Sequence, residues 1–239
     1  MPAGDRCRLG VVAFGDSITN GGGELQWGVA LQSWALWTAR GLGLPYTPFA
    51  EDGARAADVA ARQVPAFAAR APEGARYDLG CLYAGVNDVR ALDWDPARFA
   101  SDHAIALAAL AERCDRLLVA TLPRDLGRPL AGHVDEGNAI VLAGAGAAGA
   151  LVLDLRDFGA RNHVMVDHVH PTALGQIAIA ERALDVLAAD GMRVVAHPRS
   201  LVSFQTRRRD RLRGDLRYVR RHAAVSARAA LIRLRVAAR

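Results

Sequence analysis

Leu9-Gly10-Val11-Val12-Ala13-Phe14-Gly15-Asp16-Ser17-Ile18-Thr19-Asn20 reads as an apolar strand that stops in a polar turn. Its first six residues lack polar alternation, the mark of a strand covered on both faces of a sheet. Four similar runs occupy residues 44–49, 79–84, 117–122 and 150–155, each closed by Gly, Pro or charged residues. Segments with helical spacing of apolar positions lie between and after them, at 27–42, 56–69, 96–113, 134–149 and 172–190. Pro96 suits a first helical turn and Thr172 suits an N-cap. The segment 134–149 is rich in Ala and Gly and has the weakest pattern. Five strands alternating with five helices predict an α/β protein of three layers, α/β/α, around a parallel five-stranded sheet. Right-handed crossovers leave few topologies, and a flavodoxin-like strand order is the expectation.

In such a sheet, ligands bind beyond the carboxyl ends of the strands. The polar residues of this chain gather there. The first strand runs into Gly15-Asp16-Ser17-Ile18, the second into Glu51-Asp52-Gly53 and the third into Gly85-Val86-Asn87-Asp88. Asp167-His168-Val169-His170-Pro171 follows the fifth. Serine is a weak nucleophile until a base takes its proton, and the base works best when an acid fixes its tautomer. Ser17 is the candidate nucleophile, His170 the base and Asp167, three residues earlier, the acid. The backbone N–H groups of Ser17 and Gly53 and the amide of Asn87 can supply donors to an oxyanion. Asp16 and Trp27 are assigned to substrate binding, and Trp94 to a second wall. Gly21-Gly22-Gly23 is expected to form a flexible rim, and Asp88 to brace its loop.

These four blocks, in this order, resemble the SGNH hydrolases, also called GDSL esterases. The first block reads Gly15-Asp16-Ser17-Ile18, with Ile where the family has Leu. Gly53 stands for the second, Gly85-Val86-Asn87-Asp88 for the third, and Asp167 with His170 for the family's DxxH. The resemblance spans about residues 8–190. It implies a Ser17–His170–Asp167 triad, a three-donor oxyanion hole and an ester hydrolase that needs no metal or cofactor. Short connections without a lid insertion favour a shallow site and a short acyl group, such as acetyl, on a small-molecule ester. Two alternatives remain open on the residues themselves. One is a metal-dependent hydrolase using His163, Asp167, His168 and His170; the other is a non-catalytic binding or scaffold protein on the same fold.

The composition fits a globular chain of 239 residues, 51% hydrophobic and 23% charged. No run of apolar residues is long enough for a membrane span, and no secretory signal is expected at Met1. Three scattered Cys, at 7, 81 and 114, suit reduced buried thiols and a cytoplasmic location. All 30 basic side chains are Arg. The net charge of +5 conceals two opposed parts: residues 1–190 have 16 Arg against 23 acids, whereas residues 191–239 have 14 Arg against two. The chain therefore divides into a hydrolase domain, 1–195, and an Arg-rich amphipathic helical tail, 196–239. In the tail Leu212, Leu216, Val219, Ala223, Ala230 and Leu234 follow helical steps, and Gly214 is expected to split the helix in two. Docking on the body or on a second subunit is the first expectation for it, and an anionic membrane surface the second. Nucleic-acid binding is not expected, because no aromatic beyond Tyr218 is interleaved with the arginines.

Overall fold

The computed structural model describes residues 9–126, 132–160, 162–203 and 207–237. Cys7 lies outside them; Cys81 and Cys114 are buried free thiols. Five strands, β1 (Val11–Gly15), β2 (Tyr46–Pro48), β3 (Leu79–Tyr83), β4 (Leu117–Ala120) and β5 (Leu151–Leu153), form one sheet in the order β2-β1-β3-β4-β5. Every neighbouring pair is parallel, with Val11 facing Tyr46 on one side and Leu79 on the other. This is the flavodoxin-like order, for which right-handed crossovers are the rule.

Successive side chains of a strand point to opposite faces, so an all-apolar strand feeds two cores. In β1, Val11 and Ala13 join one apolar cluster while Val12 and Phe14 join the other. The first cluster is covered by α2 (Trp34–Leu42) and α7 (Ala173–Ala189), which pack against each other. Trp34, Ile177, Leu184 and Leu187 are essentially solvent-free there. The second lies under α3 (Ala56–Asp58), a π-helical turn (Val59–Gln63), α4 (Val64–Arg70), α5 (Pro96–Arg113) and α6 (Val134–Ala147). Phe14, Phe49 and Phe67 meet edge to face in this second core, at 5.3–5.8 Å between ring centres. Each such pair adds roughly 0.5–1.5 kcal/mol beyond the area it buries.

Caps explain where the helices begin. Asp95 accepts from the N–H groups of Ala97 and Arg98 ahead of α5, and Thr172 accepts from Gly175 ahead of α7. The helix expected from residue 27 starts only at Trp34, because Ser33 is its cap and accepts from Ala35. Trp27 and Gly28 both have left-handed backbone, φ 49° and 79°, so residues 27–33 are a loop. The helix expected over 56–69 forms as three consecutive pieces around the π-helical turn. Pro65, which has no N–H to give, lies just past the junction of the π-helical turn and α4.

Two further features concern the C-terminal part. The hydrogen-bonded body continues past position 196: Val195 and Ala196 both donate to the Gly41 carbonyl, and Pro198 is buried. The tail is not split at Gly214. One helix, α8 (Arg208–Ala237), runs through it for 30 residues. A single interior Gly costs about 1 kcal/mol, too little to break a helix otherwise built largely of Arg, Ala and Leu.

Candidate active site

The site is built at the carboxyl end of β1. Asp16 leaves the strand in extended backbone and caps α1 (Ser17–Asn20), its Oδ1 accepting from the Ile18 N–H at 2.9 Å. This puts Ser17 on the first position of a helix, where its N–H has no intrahelical acceptor. Two buried glutamines fix the turn from opposite sides. Gln63, on the π-helical turn, accepts from the Gly15 N–H at 2.9 Å and donates to the Gly15 carbonyl at 2.7 Å. Gln176, inside α7, accepts from the Trp34 N–H and donates to the carbonyls of Ile18 and Gly22. Sequence reasoning missed both. Their only local signal is an amide on a helix face that otherwise reads as apolar.

Gly22 closes against the same turn, its N–H bonding the Ser17 carbonyl at 2.6 Å. A Cβ on Gly22 would lie 2.8 Å from that carbonyl oxygen and 3.3 Å from Cδ2 of His170. The Gly21-Gly22-Gly23 segment is therefore a packed wall of the site, where a flexible rim was expected.

Ser17, His170 and Asp167 form one hydrogen-bonded chain. Ser17 Oγ lies 2.8 Å from His170 Nε2, and His170 Nδ1 lies 2.7 Å from Asp167 Oδ2. The other carboxylate oxygen of Asp167 accepts from the N–H groups of Val169 and His170, at 2.9 and 3.0 Å. The three-residue spacing thus makes a turn in which the carboxylate holds both the backbone and the ring. The bond to Asp167 raises the His170 pKa above the ordinary imidazole value, against the pull of partial burial. Burial pushes the Asp167 carboxyl up, but its bonds to His170 and the backbone outweigh that and leave it below the usual range. Both groups are half-buried and face the surface.

The β2 and β3 loops meet beside this chain. Asn87 Nδ2 donates to the Ala54 carbonyl at 3.0 Å, and Asp88 accepts from the Ala56 N–H with both oxygens, at 3.1 and 3.2 Å. Asp88 thus braces the loop by holding the start of α3, and burial lifts its pKa to about 6. Gly53 has φ 74°, a backbone that suits Gly, and a Cβ there would meet nothing within 4 Å. The space around it is open.

Two residues assigned to substrate binding are placed elsewhere. Asp16 is fully buried, so no substrate reaches its carboxyl; it caps a helix and adds to the raising of the His170 pKa from beneath the site. Burial pushes the Asp16 pKa up to about 7, and its Oδ2 has no hydrogen-bond partner among the described residues. Trp27 lies under the Arg211 guanidinium, 5.4 Å from the ring centre, in a cavity of about 420 Å³ between its loop and α8. Ser17 and His170 are not among the residues lining that cavity. Trp94 lines a different hollow with Arg55, Asp88 and Phe99, and donates to Glu136 at 2.7 Å.

The four-residue metal set does not converge. The His163 ring stacks on Phe158 with centroids 5.7 Å apart, and His168 Nδ1 lies 3.3 Å from Asp125 Oδ2. Asp167 and His170 engage each other. Among the described residues, no three His, Cys, Asp or Glu side chains are grouped to hold a metal ion.

Known structures share this architecture. An acetylxylan esterase from Geobacillus stearothermophilus superposes with a TM-score of 0.58 at 18% identity, covering 75% of this chain and 94% of its own. An alpha/beta hydrolase enzyme from the metagenome of Lake Arreo, Spain, gives a TM-score of 0.58 at 20% identity, covering 77% and 96%. No curated protein sequence matches the chain. The model of the GDSL-like lipase/acylhydrolase family matches residues 11–183, which include every strand and the whole Ser17–His170–Asp167 chain. The protein belongs to that family and is a serine hydrolase of carboxylic esters.

Proposed function

We propose that Ser17 is the nucleophile of this esterase, His170 its general base and Asp167 the group that orients and charges the imidazole. The observation that carries the reading is the unbroken hydrogen-bond chain at 2.8 and 2.7 Å. His170 Nε2 takes the Oγ proton as Oγ bonds to the ester carbonyl carbon. The oxyanion that forms is met by the N–H groups of Ser17 and Gly53 and by Asn87 Nδ2. Collapse expels the alcohol, which leaves with the proton from His170, and an acyl group stays on Ser17. Water then repeats the sequence and releases the acid. Solved variants of the Geobacillus enzyme described as catalytic mutants replace a serine, an aspartate or a histidine. Their aspartate and histidine are three positions apart, as Asp167 and His170 are.

The acyl group is short, in the range of acetyl. The likeness to an acetylxylan esterase supports this. A series of 4-nitrophenyl esters from acetyl to palmitoyl tests it. Specificity should be highest for acetyl and fall about tenfold or more by the octanoyl ester. A rise with chain length would overturn the short-acyl reading. Asn87→Ala should lower kcat about 10²-fold with little change in KM, because its bond to the oxyanion strengthens only in the transition state. A loss confined to KM would instead make Asn87 a substrate-binding residue.

A further inference from the structure

We propose that α8 is a two-faced helix that seats the esterase on an anionic lipid surface. One face is taken by the body. Arg211 lies over the Trp27 ring, Gly214 is within reach of Trp27 Nε1, Tyr218 is half-buried and Arg221 Nη1 pairs with Glu24 at 2.9 Å. Positions 211, 214, 218 and 221 advance by three, four and three, so they form one stripe along the helix.

A second stripe at the same spacing looks away from the body. Leu212, Leu216 and Val219 are 62%, 61% and 56% exposed, and Ala223, four residues on, is exposed as well. At 100° per residue its centre lies about 150° around the helix from the centre of the docked face. The body contacts and the apolar stripe therefore do not compete. Arg208, Arg209, Arg213 and Arg220 flank the stripe, and all four are exposed.

This arrangement selects its occupant. A narrow, convex apolar strip edged by guanidinium groups matches an interface with hydrocarbon below and negative headgroups at the level of the charges. The long arginine stems can lie along the apolar boundary while their heads stay at the phosphate. Pairing α8 with α8 of a second copy would bring like charges together. Nucleic acid would use the arginines but has no use for the leucines. No helix among the described residues is long and apolar enough to cross a membrane, so α8 would lie on the surface.

The test uses the full chain and sedimentation with vesicles of phosphatidylcholine alone or mixed with phosphatidylglycerol. The protein should sediment only with the anionic vesicles, and less so as salt is raised. Leu212→Ser with Leu216→Ser should weaken that binding by about tenfold or more, since the stripe supplies the apolar part. Arg213→Gln with Arg220→Gln should weaken it too and flatten its salt dependence. Both pairs are exposed and outside the site, so 4-nitrophenyl acetate hydrolysis should be unchanged, which also reports intact folding. Three results would overturn the proposal. The first is no sedimentation with anionic vesicles. The second is binding that the leucine changes leave intact, the behaviour of a bare polycation that would also take up nucleic acid. The third is a smaller particle without lipid when the leucines are replaced, which would make the stripe a contact between copies.

Discussion

Ser17→Ala should lower kcat on 4-nitrophenyl acetate by about 10⁴-fold or more, leaving only what oriented binding and the oxyanion donors supply. The fold should survive the change. Ser17 is half-exposed, and among the described residues its side chain bonds His170 Nε2. The turn is held by groups other than Oγ: the Asp16 cap, the two contacts from Gln63 and the two from Gln176. A thermal unfolding midpoint close to that of the unmodified protein should therefore accompany the loss of rate. An organophosphonate should label the unmodified protein once, on Ser17, and leave the variant unlabelled. Label on another residue with Ser17 intact would displace it as nucleophile, whatever the hydrogen-bond geometry.

The parts of the site legible in the sequence are those whose chemistry is tied to a position on the sheet. Gly15-Asp16-Ser17, Asn87-Asp88 and Asp167 with His170 each follow a strand, and parallel strands bring their carboxyl ends to one edge. The central strands were legible because burial on both faces removes polar residues from them, as in β1, β3 and β4. What failed depended on information that is not local. Trp27, Trp34 and Trp37 keep helical intervals, yet Trp27 belongs to a loop because Gly28 and the Ser33 cap end the periodicity between them. Asp16 neighbours the candidate nucleophile in sequence, but as an N-cap it turns its carboxyl back into the protein. Gln63 and Gln176 act on residues 48 and 158 positions away, and nothing near them in the chain announces it.

His170→Ala should lower kcat by about 10³-fold or more, whereas His168→Asn should change it by no more than a few-fold. The two imidazoles are two residues apart and differ in what they touch. His170 bridges Ser17 and Asp167 through both ring nitrogens. His168 has its Nδ1 beside Asp125, and its backbone is left-handed at φ 57°. Asn is the informative replacement at 168 because it tolerates that backbone, so a loss of rate could not be blamed on strain. Comparable losses at both positions would mean that both rings serve the chemistry, the pattern of a shared ligand set. The pH profile separates the roles further. A base must be neutral to accept the Ser17 proton, so the rate falls as pH drops through the His170 pKa. Asp167 holds that pKa above 6.5, which places the acid limb above the ordinary imidazole value. Asp167→Asn removes the carboxylate that favours the imidazolium. It should move that limb to lower pH while reducing the plateau by about 10³-fold or more, since the amide no longer fixes the productive tautomer. A limb that stays in place would detach Asp167 from the base and leave the carboxylate with only its bonds to the N–H groups of Val169 and His170.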